Sequence, residues 1–111
     1  MKEEIVLLKI HNGLKDGKDH YEATRKHWRI SKKRIESIQY AVGINRGKVE
    51  CAFQPVRWGV VEEGKEKGRL YFEGSEASSD IIHKLQCAQD QLLKKFGSGN
   101  PVAYISLSEL K

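Results

Sequence analysis

The chain has 111 residues, 39% hydrophobic and 32% charged, with 20 Lys and Arg against 15 Asp and Glu. That length predicts a single domain, residues 1–111, with enough buried surface for one self-supporting core, and the composition is not that of a disordered chain. No segment approaches the roughly 20 apolar residues of a membrane-spanning helix, and the two cysteines form no CxxC, so neither a membrane-spanning helix nor a disulfide scaffold is expected.

In chain order, Ile5 to Ile10 is a short apolar run closed by His11-Asn12-Gly13, which predicts a strand buried on both faces. The preceding MKEEIVLLKI carries acids where a signal peptide has a cationic region, so a soluble cytoplasmic protein is expected. Gly13 to Lys18 holds two glycines and only Leu14 as an apolar residue, and predicts a loop. Asp19, with Glu22 three residues on, has the spacing of a capping box. A short helix from there to about Arg29 would carry Tyr21, Thr24, Arg25 and Trp28 on one face.

From Ile38 the period becomes two. Ile38, Tyr40, Val42 and Ile44 alternate with polar or small residues, as do Val49, Cys51 and Phe53 after the turn signal Asn45-Arg46-Gly47. This predicts a β-hairpin. Pro55 is expected to end or bend its second strand, leaving Val56 to Val61 as a separate edge strand bearing Trp58. Glu62 to Gly68 is a charged, glycine-bounded tip, and Arg69 to Glu73 a further short strand. Ser78 or Ser79 would cap the longest helix, with Ile82, Leu85, Leu92 and Phe96 at helical spacing and Gly97 as the stop. Val102 to Leu107 reads as the last strand. The order β-α-β-β-β-β-α-β predicts an α+β fold, a small curved, mainly antiparallel sheet or β-barrel with two helices.

Charge is distributed very unevenly. Residues 1 to 24 hold four bases and five acids, and residues 35 to 111 hold ten of each. Residues 25 to 34 hold Arg25, Lys26, Arg29, Lys32, Lys33 and Arg34 with no acid. The whole basic excess therefore lies in ten consecutive residues, a field that can steer a polyanion. The block YEATRKHWRISKKR also carries two rings, and nucleic acid is held by cations on phosphates with rings or guanidinium planes on bases. Against this stands the plainer reading, in which Tyr21 and Trp28 are the buried face of an amphipathic helix and the cations are solvated. Arg25 shares a face with both rings, as either a stacked structural cation or a ligand-contacting one. Trp58, followed by Gly59, either floors a pocket or packs against a helix.

Other chemistry is poorly supported. His20 and His27 lie two helical turns apart, too far to share a metal ion, and no metal or cofactor is expected. Gly97-Ser98-Gly99 follows a helix and does not open one, so it is no phosphate cradle. Neither cysteine has a nearby base in the sequence, and nothing points to a catalytic thiol.

The segments YEATRKHWRIS, YAVGINRGKVECAF, VRW and GNPVAYIS together resemble a small prokaryotic family. In that family a YEATRxxWR segment precedes a YALxVxxGxI hairpin, a Trp-bearing strand and a closing NPIxYV strand. It occurs alone and beside restriction-type nucleases, and its strand layout resembles the PUA/EVE/ASCH group of small β-barrels, which bind RNA or modified DNA bases in an aromatic-walled cleft. The resemblance spans roughly residues 3 to 107 and implies a PUA-like cleft formed by Tyr21, Arg25, Trp28 and Trp58, with a nuclease or other protein as a further partner.

Together these readings predict a non-enzymatic domain that binds DNA or RNA. Arg29, Lys32, Lys33 and Arg34 would contact phosphates, and the cleft would hold a flipped or modified base. The alternative from a different class is an accessory or protein-interaction module that docks an acidic partner through residues 25–34. A third reading, a small enzyme acting on a nucleotide, has only Glu22 as a carboxylate near the block.

Overall fold

Four consecutive residues, Ile5 to Leu8, have no exposed surface in the computed structural model, which describes residues 4–17, 19–25, 28, 33–65, 67–96 and 102–109. They belong to β1 (Glu4–Lys9), whose side chains alternate between two apolar layers. Ile5 and Leu7 enter one layer, Val6 and Leu8 the other. A strand buried in this way needs cover on both faces, and the rest of the chain provides it.

On one side lie α1 (His11–Lys15) and α2 (His20–Arg25), which carry the chain from β1 to β2 (Ile38–Asn45). β1 and β2 are parallel neighbours, so a tight turn cannot join them and a crossover is required. The predicted cap forms, with the Glu22 amide donating to Asp19 Oδ1 at 2.8 Å. Ala23 and Thr24 are small, and a Cβ on Gly43 of β2 would sit 2.9 Å from Thr24 Oγ1. Gly43 thus lets α2 press close to the sheet.

The predicted hairpin joins β2 to β3 (Lys48–Val60), with Asn45 paired to Lys48. Arg46 and Gly47 have φ of 50° and 80°, the conformation of a type I′ turn, which matches the twist of the strands it joins. β3 continues through Pro55, so the strand is made irregular there and does not end, and Val56 to Val61 is no separate strand. A register shift between Pro55 and Arg57 forms a bulge that absorbs the missing amide, and Val56 is left 75% exposed there. β4 (Leu70–Glu76) returns antiparallel to β3.

The second layer is covered by α3 (Ser79–Cys87) and α4 (Gln89–Leu93), which meet at Ala88 where one continuous helix was expected. Ser78 caps α3 by accepting the Ile81 amide. Leu85, Ala88 and Leu92 pack on Ile5, Leu7, Val42 and Ile105. β5 (Val102–Ser106) then pairs antiparallel with β1.

The sheet order is β4-β3-β2-β1-β5, and the fold is α+β with a five-stranded mixed sheet. Three of its four pairings are antiparallel. The sheet is open, which corrects the expected barrel: helices bury both faces, so neither has to be hidden by closure. Two local expectations also change. His11 to Lys15 is a helical turn and not a loop, and the described helix α2 covers His20–Arg25, with Trp28 in a β-bridge to Leu70 and Arg29 outside the described residues.

Gly74 of β4 lies against Gln54 of β3, and a Cβ there would collide with the Gln54 carbonyl oxygen. Backbone cannot yield as a flexible side chain does. Gly74→Ala is therefore expected to cost about 2 kcal/mol of folding stability, read as a lower denaturation midpoint in urea.

Candidate functional site

An open sheet leaves the backbone groups of its outer strand without ladder partners, because alternate residues of an antiparallel strand point outwards. On β4 the outward-facing residues include Leu70, Phe72 and Gly74. The Leu70 amide donates to the Trp28 carbonyl at 2.8 Å, and its carbonyl accepts from the Trp28 amide at 2.9 Å. The Phe72 carbonyl accepts from Arg25 Nε at 3.0 Å. The Gly74 amide donates to the Tyr21 hydroxyl at 3.2 Å.

The residues singled out by helical spacing, Tyr21, Arg25 and Trp28, thus meet the outer edge of β4 in reverse order. The match has a geometric cause. Four residues of helix advance about 6 Å and two residues of strand about 6.7 Å, so Tyr21 and Arg25 fall in step with Gly74 and Phe72.

Arg25 is the centre of this seam. Its guanidinium lies 5.4 Å from the Tyr21 ring centroid and 5.6 Å from that of Tyr71. Nη1 meets Glu22 at 3.4 Å, Nη2 meets Glu73 at 3.8 Å, and only 14% of the side chain is exposed. Glu73 also pairs with Arg57 at 2.6 Å. Tyr71 in turn lies over its cross-strand partner Gly59, where a Cβ would strike its ring. Arg25 therefore satisfies the domain's own groups and is a stacked structural cation, where the cleft reading placed it against a ligand.

The rings are packed in the same region. Tyr21 meets Phe53 edge-on at 5.3 Å and Phe72 at 6.4 Å. Trp58, expected in the cleft, is half-buried with its ring 5.3 Å from Phe72. Trp28 donates its indole N–H to the Thr24 carbonyl at 2.7 Å and remains partly exposed. The structure brings all four expected cleft residues around Phe72 and the end of β4, where the Tyr21 hydroxyl, Arg25 Nε and Trp28 indole N–H meet backbone and the outer Arg25 nitrogens meet carboxylates.

Of the expected phosphate-binding cations, Arg29 and Lys32 lie outside the described residues. Lys33 is exposed. Arg34 donates to Glu4 at 2.9 Å, and its guanidinium sits 4.1 Å over the Tyr104 ring. It also lines a cavity of about 420 Å³ that includes Glu4, Tyr104, Lys95 and Glu109. The hydrogen bond from Lys95 holds the Glu109 carboxyl below its ordinary range.

A second locus lies at the opposite end of β1 and β2 and was not picked out from the sequence. Lys9, His11 and Arg46 line a cavity of about 390 Å³ whose apolar wall is Ile44, Leu93 and Phe96. A neighbouring cavity of about 360 Å³ shares His11 and Arg46 and adds Lys15. The one available signal was a cation, Arg46, in a turn position that favours Asn or Gly.

The thiols differ from each other. Cys51 is buried beside Thr24 Oγ1 at 3.3 Å, and burial pushes its pKa up, which suits an inert core thiol. Cys87 is exposed and does have a base, His83 one helical turn earlier, with Nε2 3.6 Å from Sγ.

Two outcomes test this geometry. Tyr21→Phe keeps the ring but leaves the Gly74 amide unmet; it should cost about 1 kcal/mol and speed hydrogen exchange at that amide. In native protein a thiol reagent should modify Cys87 rapidly and Cys51 only after unfolding, so titration counts one thiol before denaturant and two after it.

No family model, curated protein or solved structure matches the chain.

Proposed function

We propose that the chain is a nucleic-acid-binding domain that holds a phosphate backbone on Arg29, Lys32, Lys33 and Arg34. One observation carries this reading: the acid-free segment that contains the whole basic excess is fastened at both sides of the sheet. Trp28 is fixed on β4, and Arg34 is fixed on Glu4 of β1 and Tyr104 of β5. Leu70, Ile38 and Glu4 lie at one end of the sheet, so both anchors belong to that end, with β3 and β2 between β4 and β1. Neighbouring strands are about 4.8 Å apart, which gives the anchored cations a span comparable to several phosphates of a nucleic-acid strand.

In this reading the motif has two parts. Tyr21 and Arg25 build the scaffold, and Lys32, Lys33 and the exposed half of Arg34 supply the charge. Trp28 and Trp58, both partly exposed, are the rings available to stack on an unpaired base. The burial of Arg25 also favours a second reading, since a docking face for an acidic protein needs the cations and not the rings.

Fluorescence anisotropy with labelled single- and double-stranded DNA and RNA, titrated at several salt concentrations, separates these. Binding is expected to weaken steeply with salt, and Lys33→Gln should lower the log–log slope by about 1. Quenching of tryptophan emission by oligonucleotide supports base stacking. Failure of every nucleic acid to bind at low salt would overturn the proposal and leave the acidic-protein reading.

A further inference from the structure

At the hairpin end of the sheet, cations and apolar groups line opposite sides of one concavity. β1 ends at Lys9, β2 ends at Asn45, and the two strands are parallel, so their carboxyl ends open on the same side. Open sheets bind small ligands in that location because the strand ends and following loops form a crevice there. The cavity of about 390 Å³ is far larger than a single oxyanion requires and lies within the range of small-molecule sites.

The charges there are not spent. Arg25, Arg34, Arg57 and Lys95 each lie within 4 Å of a carboxylate. Among the described residues, Lys9, Lys15 and Arg46 form no ion pair. Lys9 instead places its ammonium 4.8 Å from the centre of the Phe96 ring, at the junction of the cationic and apolar walls. The His11 ring is oriented by Asn45, whose Oδ1 lies 3.3 Å from Nδ1; with Nδ1–H donating there, Nε2 faces a ligand and donates to an anion as the imidazolium. An anion alone would not use Ile44, Leu93 and Phe96, and an apolar ligand would not use the cations. A planar heterocycle joined to a phosphate uses both.

We propose that this cavity binds a nucleoside 5′-phosphate, its phosphate on Lys9, His11 and Arg46 and its base against Leu93 and Phe96. The group could be supplied by a free mononucleotide or by the 5′-phosphorylated end of a strand. The site is separated from the 25–34 segment by the length of β1, about 17 Å, and does not rest on the reading of that segment.

The test is an NMR titration of ¹⁵N-labelled protein with the four nucleoside 5′-monophosphates, the matching nucleosides, inorganic phosphate, and short oligonucleotides with and without a 5′-phosphate. Amide shifts are expected at Lys9, His11, Arg46, Gly47, Leu93 and Phe96, with a monophosphate binding at least tenfold more tightly than its nucleoside or phosphate. A phosphorylated oligonucleotide that shifts these amides at lower concentration than both the monophosphate and the same oligonucleotide without its 5′-phosphate identifies a strand end as the source; tighter binding of the monophosphate identifies the free nucleotide. Arg46→Asn removes the cation but suits the left-handed turn, so it should weaken binding about tenfold with no loss of thermal stability. Lys9→Gln should weaken it comparably, while Lys65→Gln, in the exposed loop between β3 and β4, leaves it unchanged. The proposal is overturned if these amides do not respond, if inorganic phosphate binds as well as the monophosphates, or if Arg46→Asn binds like the parent.

Discussion

The outer strand of an open sheet carries a row of amides and carbonyls that neither water-free packing nor the ladder satisfies, and β4 meets this constraint with residues 21 to 28. Each partner comes from a different kind of group: a phenol for the Gly74 amide, a guanidinium for the Phe72 carbonyl, and main chain for Leu70. The seam ties the first crossover to the far side of the sheet. It also blocks the edge on which another strand could add, a known route to aggregation. Because Arg25 has to enter this seam, its charge needs partners, and Glu22, Glu73 and two aromatic rings surround it.

The same arrangement explains how one stretch of sequence serves two purposes. The part that builds the edge has to be ordered, partly buried and neutralised. The part that follows is free of acids and ends at Arg34, which is fastened across the sheet by Glu4 and Tyr104. Anchoring at Trp28 and Arg34 fixes two points on either side of the sheet, and a segment fixed at two points has less conformational freedom to lose than a free tail.

The two-sided burial of β1 has a further consequence. Helices occupy both faces of the sheet, so its ends are the places left for recognition. Trp28 and Arg34 belong to the end where β1 and β2 begin, and the cationic cavity belongs to the end where they finish. In the first, Arg34 is neutralised by a carboxylate; in the second, Lys9 and Arg46 are not paired among the described residues. The contrast sets a cation held by a carboxylate against cations that have none among the described residues.

What could be read from the chain alone follows local rules. The apolar run of β1, the period-two hairpin with its Asn-Arg-Gly turn, and the caps at Asp19 and Ser78 depend on neighbours within a few residues, and each is where its side-chain chemistry puts it. The grouping of Tyr21, Arg25 and Trp28 on one face was legible for the same reason. Its meaning was not, because the backbone groups it satisfies lie 47 and 53 residues away in the case of Arg25 and Tyr21. Likewise no local pattern announced that β1 and β2 are parallel, that β3 runs through Pro55, or that Lys9 and Phe96 would share a cavity with Arg46. Helix and strand periodicity record which side of an element is apolar; only the packed sheet decides what that side touches, since contacts between distant segments depend on the order and direction of the strands.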